Sequence, residues 1–385
     1  MKIKKCAQSL QTESAFKVLA HAQQLERQGK EIIHLEIGQP DFHTPKHISD
    51  AAIKAIREGK TGYGPASGLP KLREAIASES GTRRGITFDI NNVVVSPGGK
   101  PIIFYTIQSL AGKGDEVIFP DPGFPMYASL IAHSGATPIP LPLNEEKAFS
   151  FNKDEFRSRV SERTRLVIIN SPHNPTGGII KPNDLEVIAE EAHRHDFFVL
   201  SDEIYKDFIY ENSFVSIASL PGMKERTVIL DGFSKSYSMT GWRLGYAIVP
   251  SFLMEPFELY NVNIASCACT FNQYGALAAL QNSQNCVQSM VSEFRIRRDY
   301  LVDTLNEING IHCLKPSGAF YVFPNIKETK KSSSQLASDI LENAGVAVLG
   351  GSSFGKEGEG YLRLSYATSL DNLKIACERL KNHLE

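Results

Sequence analysis

GFSKSYSMTGWRLGY, residues 232–246, joins two apolar runs, TVILD (227–231) and WRLGYAIVP (242–250). A short β-branched run that ends in Gly-Phe-Ser-Lys sets a hydroxyl, Ser234, and an amine, Lys235, at the end of a buried strand. In an open parallel sheet, ligands bind outside the carboxyl ends of the strands. A lysine in such a place ordinarily extends its ammonium group to solvent. A reactive lysine needs a depressed pKa, supplied by burial or by a neighbouring cation. Arg243, eight residues on, offers that cation. Its planar guanidinium can also grip a phosphate with two parallel N–H bonds.

The same pattern recurs upstream. VVVSPGG (93–99) precedes the helical stretch PIIFYTIQSLAG, EVIFPDPG (116–123) precedes PMYASLIAHSG, and RLVIINSPHNPTGG (165–178) precedes NDLEVIAEEAHRH. FFVLSDEIY (197–205) is one more apolar run. Continuous apolar strands separated by helices predict an α/β fold whose mainly parallel sheet is buried on both faces. We expect it to fill a large domain, residues 49–285. Beyond it come a charged helix RIRRDYLVDTLNEI, strand-like pieces GAFYVFP, VAVLG and YLRLSYA, and an amphipathic helix DNLKIACERLKNHL. These predict a smaller α+β domain, 286–385, with the N-terminal segment 1–48 packing against it.

The predicted strand ends carry an anion-binding turn (Gly98-Gly99-Lys100), an aromatic (Phe124), an amide (Asn174), an acid (Asp202), a phenol (Tyr205) and the amine Lys235. Glycines that open a helix let an anion approach the N–H groups of its first turn. A plain strand-to-helix turn has the same sequence, and Gly-Lys followed by Pro101 is no Walker loop. A carboxylate ending FFVLSD is costly unless paired. It can cap the residues that follow or face a protonated ring nitrogen. Asn174 stands in a turn signal, N-P-T-G-G, and can also donate to a phenolic oxygen. A planar pyridinium bearing a phosphate, a phenolic oxygen and an aldehyde would use every member of the set.

Composition narrows the classes. The 385 residues suffice for two domains, at about 100–200 residues each. A net charge of −2, with both signs intermixed, argues against a nucleic-acid arm or a membrane-binding tail. The cysteines Cys6, Cys267, Cys269, Cys286, Cys313 and Cys377 form no CxxC pair and no Cys–His cluster with zinc spacing, so free thiols and no metal are expected. The start, MKIKKCAQSLQTES, lacks the apolar core of a signal peptide. No apolar run approaches the roughly 18 residues of a membrane span. A reduced, cytoplasmic protein is the expectation.

Nearly end to end, the motifs resemble those of the class I aminotransferases of pyridoxal-phosphate fold type I, in the aspartate aminotransferase-like subgroup. They are EIGQPDF (36–42), GYGPASGLPKLREAI (62–76), SPGGK (96–100), DPGFPMY (121–127), NSPHNPTGG (170–178), SDEIY (201–205), GFSKSYSMTGWRLGY, PSGAFYVFP (316–324) and RLSYATS (363–369). The resemblance implies a seven-stranded-type sheet in a three-layer αβα domain, pyridoxal 5'-phosphate as cofactor, and a homodimer. It implies that Lys235 binds the cofactor as a Schiff base and shuttles the substrate proton. Asp202 would pair with the pyridine nitrogen, and Tyr205 and Asn174 with the phenolic oxygen. Gly99 and Lys100 (through backbone N–H groups), Ser234 and Arg243 would hold the phosphate, and Phe124 would stack on the ring. Arg363 would clamp the substrate α-carboxylate, helped by Asn174 and the backbone of Gly38. Tyr63 would reach the phosphate of the neighbouring subunit. The implied substrates are an L-amino acid and a 2-oxo acid, with aspartate and 2-oxoglutarate weighted by the subgroup. No second arginine has a motif context that marks it as a side-chain carboxylate clamp.

One departure stands out: VLGGSSFG (348–355) carries Gly350 where the family pattern has proline. Glycine there is expected to loosen a loop near the substrate mouth. Three rival functions compete with transamination. A carbon–sulfur β-lyase, like aminocyclopropane-carboxylate synthase, shares the fold and most of these residues; ammonia and pyruvate released without an acceptor would mark the lyase. A cofactor-sensing DNA-binding regulator needs a further domain, and about 35 residues ahead of EIGQPDF are too few. A dinucleotide oxidoreductase needs a G-x-G-x-x-G after an early strand, which is absent.

Overall fold

The computed structural model describes Leu10, residues 14–211 and residues 213–385. The start of the chain, with Cys6, lies outside the described residues. β1 (Ile33–His34) stands apart from the main sheet. That sheet holds β2 (Val93–Ser96), β3 (Glu116–Asp121), β4 (Thr137–Asn144), β5 (Ser150–Phe151), β6 (Thr164–Asn170), β7 (Phe198–Asp202), β8 (Thr227–Gly232) and β9 (Gly245–Ile248). Their spatial order is β2-β9-β8-β7-β6-β3-β4-β5. β3, β4, β6, β7 and β8 run parallel, and β9 is antiparallel to both neighbours.

The strands read as unbroken apolar runs because both faces are covered. Val93 and Val95 join one core with Ile48, Leu72 and Ile76, from the helices Lys46–Arg57 and Pro70–Arg84. Val94, between them, joins the opposite core with Ile102, Tyr105 and Phe257, from the helices Lys100–Leu110 and Met254–Ala265. Alternate residues thus feed opposite faces, as the pleat requires, and helices close both sides.

The expected seven-stranded-type sheet gains an eighth strand at its edge. β5 turns back along β4, pairing Phe151 with Leu143. β4 is hidden in the sequence because TPIPLPLN carries Pro138, Pro140 and Pro142. Proline cannot donate to a ladder. Here the prolines alternate with the residues that bond β3, so each missing N–H falls on the side away from it, where β5 covers only the end.

A second sheet, β10 (Tyr321–Val322), β13 (Leu362–Ser365) and β12 (Leu349–Gly350), is antiparallel. β11 (Val346–Ala347) pairs in parallel with β1, which ties the N-terminal segment to the C-terminal part. Helices Asn285–Leu305 and Leu370–Leu384 cover it through Phe294, Leu301, Leu373 and Leu380. The helix Ser333–Asp339 opens with a capping box between Ser332 and Gln335. Gly350 does not loosen a loop. It is buried and pairs with Leu362, and a Cβ there would lie 2.8 Å from the Ser333 carbonyl oxygen.

Candidate active site

Strand register decides which side chains meet. Asn170 at the end of β6 lies opposite Asp202 at the end of β7, and Asp202 lies opposite Leu230 on β8. The three carboxyl ends are level and open into one cavity of about 640 Å³. Every residue predicted for the site lines it except Tyr63, which is 90% exposed.

At one end, Gly99 and Lys100 begin the helix Lys100–Leu110. Arg243 takes a left-handed backbone (φ 54°), and its Nη1 donates to the Thr240 carbonyl at 2.8 Å. The packing is close: a Cβ on Gly98 would come within 2.4 Å of Arg243 Nη2, and one on Gly245 within 2.7 Å of Gly99 N. Glycine alone allows a helix start, a guanidinium and the Ser234 hydroxyl to converge here, and such a cradle fits a phosphate dianion.

Asp202 is buried. Its Oδ2 accepts the Tyr127 hydroxyl at 2.7 Å, and its Oδ1 the Ile204 N–H at 3.3 Å. Its carboxyl is raised to about 6, by burial above all and with help from Asp231 and Glu203, against the lowering pull of the two donors. A cationic ring nitrogen is the partner this carboxylate lacks among the described residues, so the site fits pyridoxal phosphate at both ends. Tyr205 shares a 2.7 Å hydrogen bond with the Tyr321 hydroxyl. Burial, reinforced by Tyr321, holds its phenol well above the usual range, so it stays a neutral donor. Phe124 is half-buried and meets Tyr127 edge-on at 5.6 Å.

Lys235 Nζ donates to the Gly38 carbonyl at 2.5 Å. A Cβ on Gly38 would collide with the Tyr321 hydroxyl, 2.0 Å away. Arg363, buried on β13, donates to the Glu36 carbonyl through Nη2 and to Asn174 Oδ1 at 3.4 Å through Nη1. Its guanidinium lies 4.7 Å from the Tyr321 ring centre and 5.1 Å from that of Phe354. With Asn174 Oδ1 accepting, its Nδ2 is the donating end. Tyr127, Asn170, Tyr321 and Phe354 also line the cavity and escape sequence reasoning. Asn170 fixes Asn174 by accepting its N–H at 2.9 Å. Only the motif edges DPGFPMY, NSPHNPTGG and PSGAFYVFP hint at the first three.

Among the described residues, no His, Cys, Asp and Glu cluster could hold a metal, and no helix is long and apolar enough to cross a membrane. Cys267, Cys269, Cys286, Cys313 and Cys377 are free thiols.

The family profile described as "Aminotransferase class I and II" matches residues 30–380. The chain is 44% identical over 362 residues to an aspartate aminotransferase of Pyrococcus abyssi, covering 92% of each chain. It is 41% identical to aromatic-amino-acid aminotransferase 2 of Thermococcus litoralis, again over 92% of each. The solved aspartate aminotransferase of Thermus thermophilus with maleate superposes with a TM-score of 0.96 over 100% of both chains at 34% identity. A profile spanning nearly the whole chain, and relatives this similar over their full length, mean that the chain belongs to the class I and II aminotransferases, enzymes of fold type I that use pyridoxal 5'-phosphate to move amino groups between amino acids and 2-oxo acids.

Proposed function

We propose that this aminotransferase takes its amino group from a dicarboxylic L-amino acid, aspartate first, passes it to 2-oxoglutarate, and works as a cytoplasmic homodimer. The observation that carries the site assignment is the convergence of the Lys235 amine, the Asp202 carboxylate and the Arg363 guanidinium on one cavity. Bound pyridoxal phosphate supplies an electron sink for the charge left when the substrate Cα loses its proton. Lys235 would hold the cofactor's aldehyde carbon and would serve as the base that takes the Cα proton and as the acid that delivers it to the cofactor's C4′ carbon. Asp202, ionised by a cation beside it, keeps the ring nitrogen protonated. Tyr205 and Asn174 donate to the phenolic oxygen. The N–H groups of Gly99 and Lys100, the Ser234 hydroxyl and Arg243 hold the phosphate, and Phe124 packs on the ring. The fork of Arg363 grips the α-carboxylate, with Asn174 and the Gly38 backbone beside it.

The preference for a side-chain carboxylate rests on Lys100. Its ammonium lies 5.7 Å from the Phe16 ring centre and 5.8 Å from that of Phe124, on the lining of the same cavity. It is a further cation, with Lys235 and Arg243, on the lining of the cavity that also holds Arg363.

The dimer reading rests on apolar exposure. Leu259, Val262 and Ile264 on the helix Met254–Ala265 are each more than half exposed, as is Phe252 just before it. Asn261 of that helix donates to the Ala66 carbonyl at 2.9 Å, which brings the turn bearing Tyr63 beside the stripe. A second copy covering it would receive Tyr63 at its own phosphate site. The free thiols are compatible with a reducing compartment. We also propose that residues 49–285 and 286–385 behave as separate domains, with 1–48 moving with the smaller.

The test is a visible absorption spectrum of the purified protein with amino acids added singly. Aspartate is expected to convert the cofactor band to that of the amine form, and 2-oxoglutarate to restore it. A band that persists while ammonia and pyruvate accumulate would replace this reading with the β-lyase.

A further inference from the structure

The segments that face the cofactor carry a second set of side chains. Asp202, Tyr205 and Lys235 line the cavity, yet Glu203, Lys206 and Ser236, the residues that follow each of them, do not. Lys206 is 5% exposed. Its ammonium lies 2.8 Å from Asp231 Oδ2 and 3.4 Å from Asp207 Oδ2. Asp231, at the end of β8, accepts the Tyr246 hydroxyl at 2.8 Å and the Gly232 N–H at 2.7 Å, and lies 3.6 Å from Arg84. Asp207 accepts the hydroxyl of Ser236, the neighbour of Lys235, and pairs with Arg83 at 2.8 Å. Glu203 holds Arg84 and the hydroxyls of Ser201 and Ser216. Glu79 pairs with Arg83 at 2.8 Å.

Three cations (Arg83, Arg84, Lys206) thus meet four carboxylates (Glu79, Glu203, Asp207, Asp231), a net charge of −1, with Tyr237 and Tyr246 against them. Ionic clusters this buried are poor sources of stability, since apolar residues of similar volume do as well or better. A network that serves folding alone does not explain why its members alternate with the cofactor-facing residues. Burial would push the Lys206 amine down, but Asp207 and Asp231 outweigh it and hold it well above the usual lysine range, so the cation persists.

We propose that Lys206 is a positioning residue for Lys235 and Asp202. Its ammonium ties the turn after Asp202 to the strand end before Lys235, and it screens both from the carboxylates behind them. This rests on the aminotransferase reading above. Deleting the cation takes the network from −1 to −2. As a scale, a unit charge acting through an effective dielectric of about 20 moves a pKa by about one unit from as far away as roughly 12 Å.

The experiment is a pH titration of the visible band of the cofactor-loaded, substrate-free protein, with kcat and KM measured alongside. Lys206→Met is expected to raise the midpoint by about one unit and to lower kcat about tenfold, with KM within about twofold. Asp231→Asn, which removes a negative charge, is expected to move the midpoint the other way. Lys206→Met combined with Asp231→Asn restores −1 and is expected to bring it back. A folded Lys206→Met protein with an unmoved midpoint overturns the proposal, whether kcat falls or not. If Lys206→Met does not fold, an unmoved midpoint in Asp231→Asn overturns it equally. Failure of the aminotransferase reading looks different: the wild-type band would then respond to no amino acid at all.

Discussion

The cavity has two walls of unlike origin. One is built from strand ends of the central sheet, where Asp202, Ser234 and Lys235 follow directly from the β6–β7–β8 register. The other gathers Gly38, Tyr321, Phe354 and Arg363 from segments far apart in the chain. The walls meet through a few long-range hydrogen bonds: Lys235 to Gly38, Tyr205 to Tyr321, and Arg363 to Asn174. The first wall continues the central sheet and the second the small antiparallel sheet that carries Tyr321 and Arg363, so these hydrogen bonds join two separately built surfaces. Under the proposed roles, cofactor chemistry falls on the first and substrate reading on the second. The comparison holds if changes to the sheet wall strike kcat and changes to the opposite wall strike KM.

The largest break is Lys235→Ala. The cofactor should remain bound, without covalent attachment, and kcat should fall by about 10⁴-fold or more, because a general acid–base group and the anchor go together. Substantial residual transamination in a single-turnover assay would remove Lys235 from its role. Asp202→Asn comes next. An amide accepts weakly from a ring N–H and carries no charge, so kcat should drop about 10²- to 10³-fold, with KM for aspartate within about threefold. A rise in KM without loss of kcat would mean that the sheet wall reads substrate after all.

The two walls also differ in how far the sequence reveals them. β7 is legible because FVLSD is an apolar run ending in one acid, and strand end plus turn chemistry are local properties. Asp202, Asn174 and Lys235 are therefore recognisable from the order of residues alone. β9 starts later than WRLGYAIVP suggests, at Gly245, because Arg243 adopts a left-handed backbone that ends the preceding turn. β4 is masked by its prolines. The opposite wall is less legible, since only the family resemblance singles out Arg363, and nothing in GAFYVFP sets Tyr321 apart from its neighbours. Its 2.7 Å bond to Tyr205 joins residues 116 positions apart. Lys206 is the extreme case: a lysine after a tyrosine predicts a solvated side chain, and tertiary packing alone buries it.

Arg363→Ala tests the opposite wall. Charge-assisted hydrogen bonds contribute about 1.5–3 kcal/mol each, so KM should rise about 100-fold for every amino acid tested. The change in kcat should be the smaller. An unchanged KM would put the carboxylate clamp elsewhere.

The smallest expected effect lies behind Arg363. The carbonyl of Glu36 accepts from Arg363, while its fully buried side chain accepts from His34 Nδ1 at 2.8 Å; His34 Nε2 meets Glu26 at 3.1 Å. The hydrogen bond to Glu36 raises His34 to about 9, against the downward pull of burial. The unfolded chain releases this proton near about 6.5. The folded state thus gains from the charged imidazole in full below about 6.5, and the gain fades as pH rises and is gone above about 9. Because the imidazole is partly open to water, the effect is screened, and a Tm difference of about 2 °C is the scale to expect. Between pH 6.5 and 9, wild-type Tm should fall more steeply than that of His34→Gln, and the two curves should converge at the alkaline end. Parallel curves would mean that the pair contributes no pH-dependent stability, leaving the main chain of β1 to hold Glu36 beneath Arg363 without it.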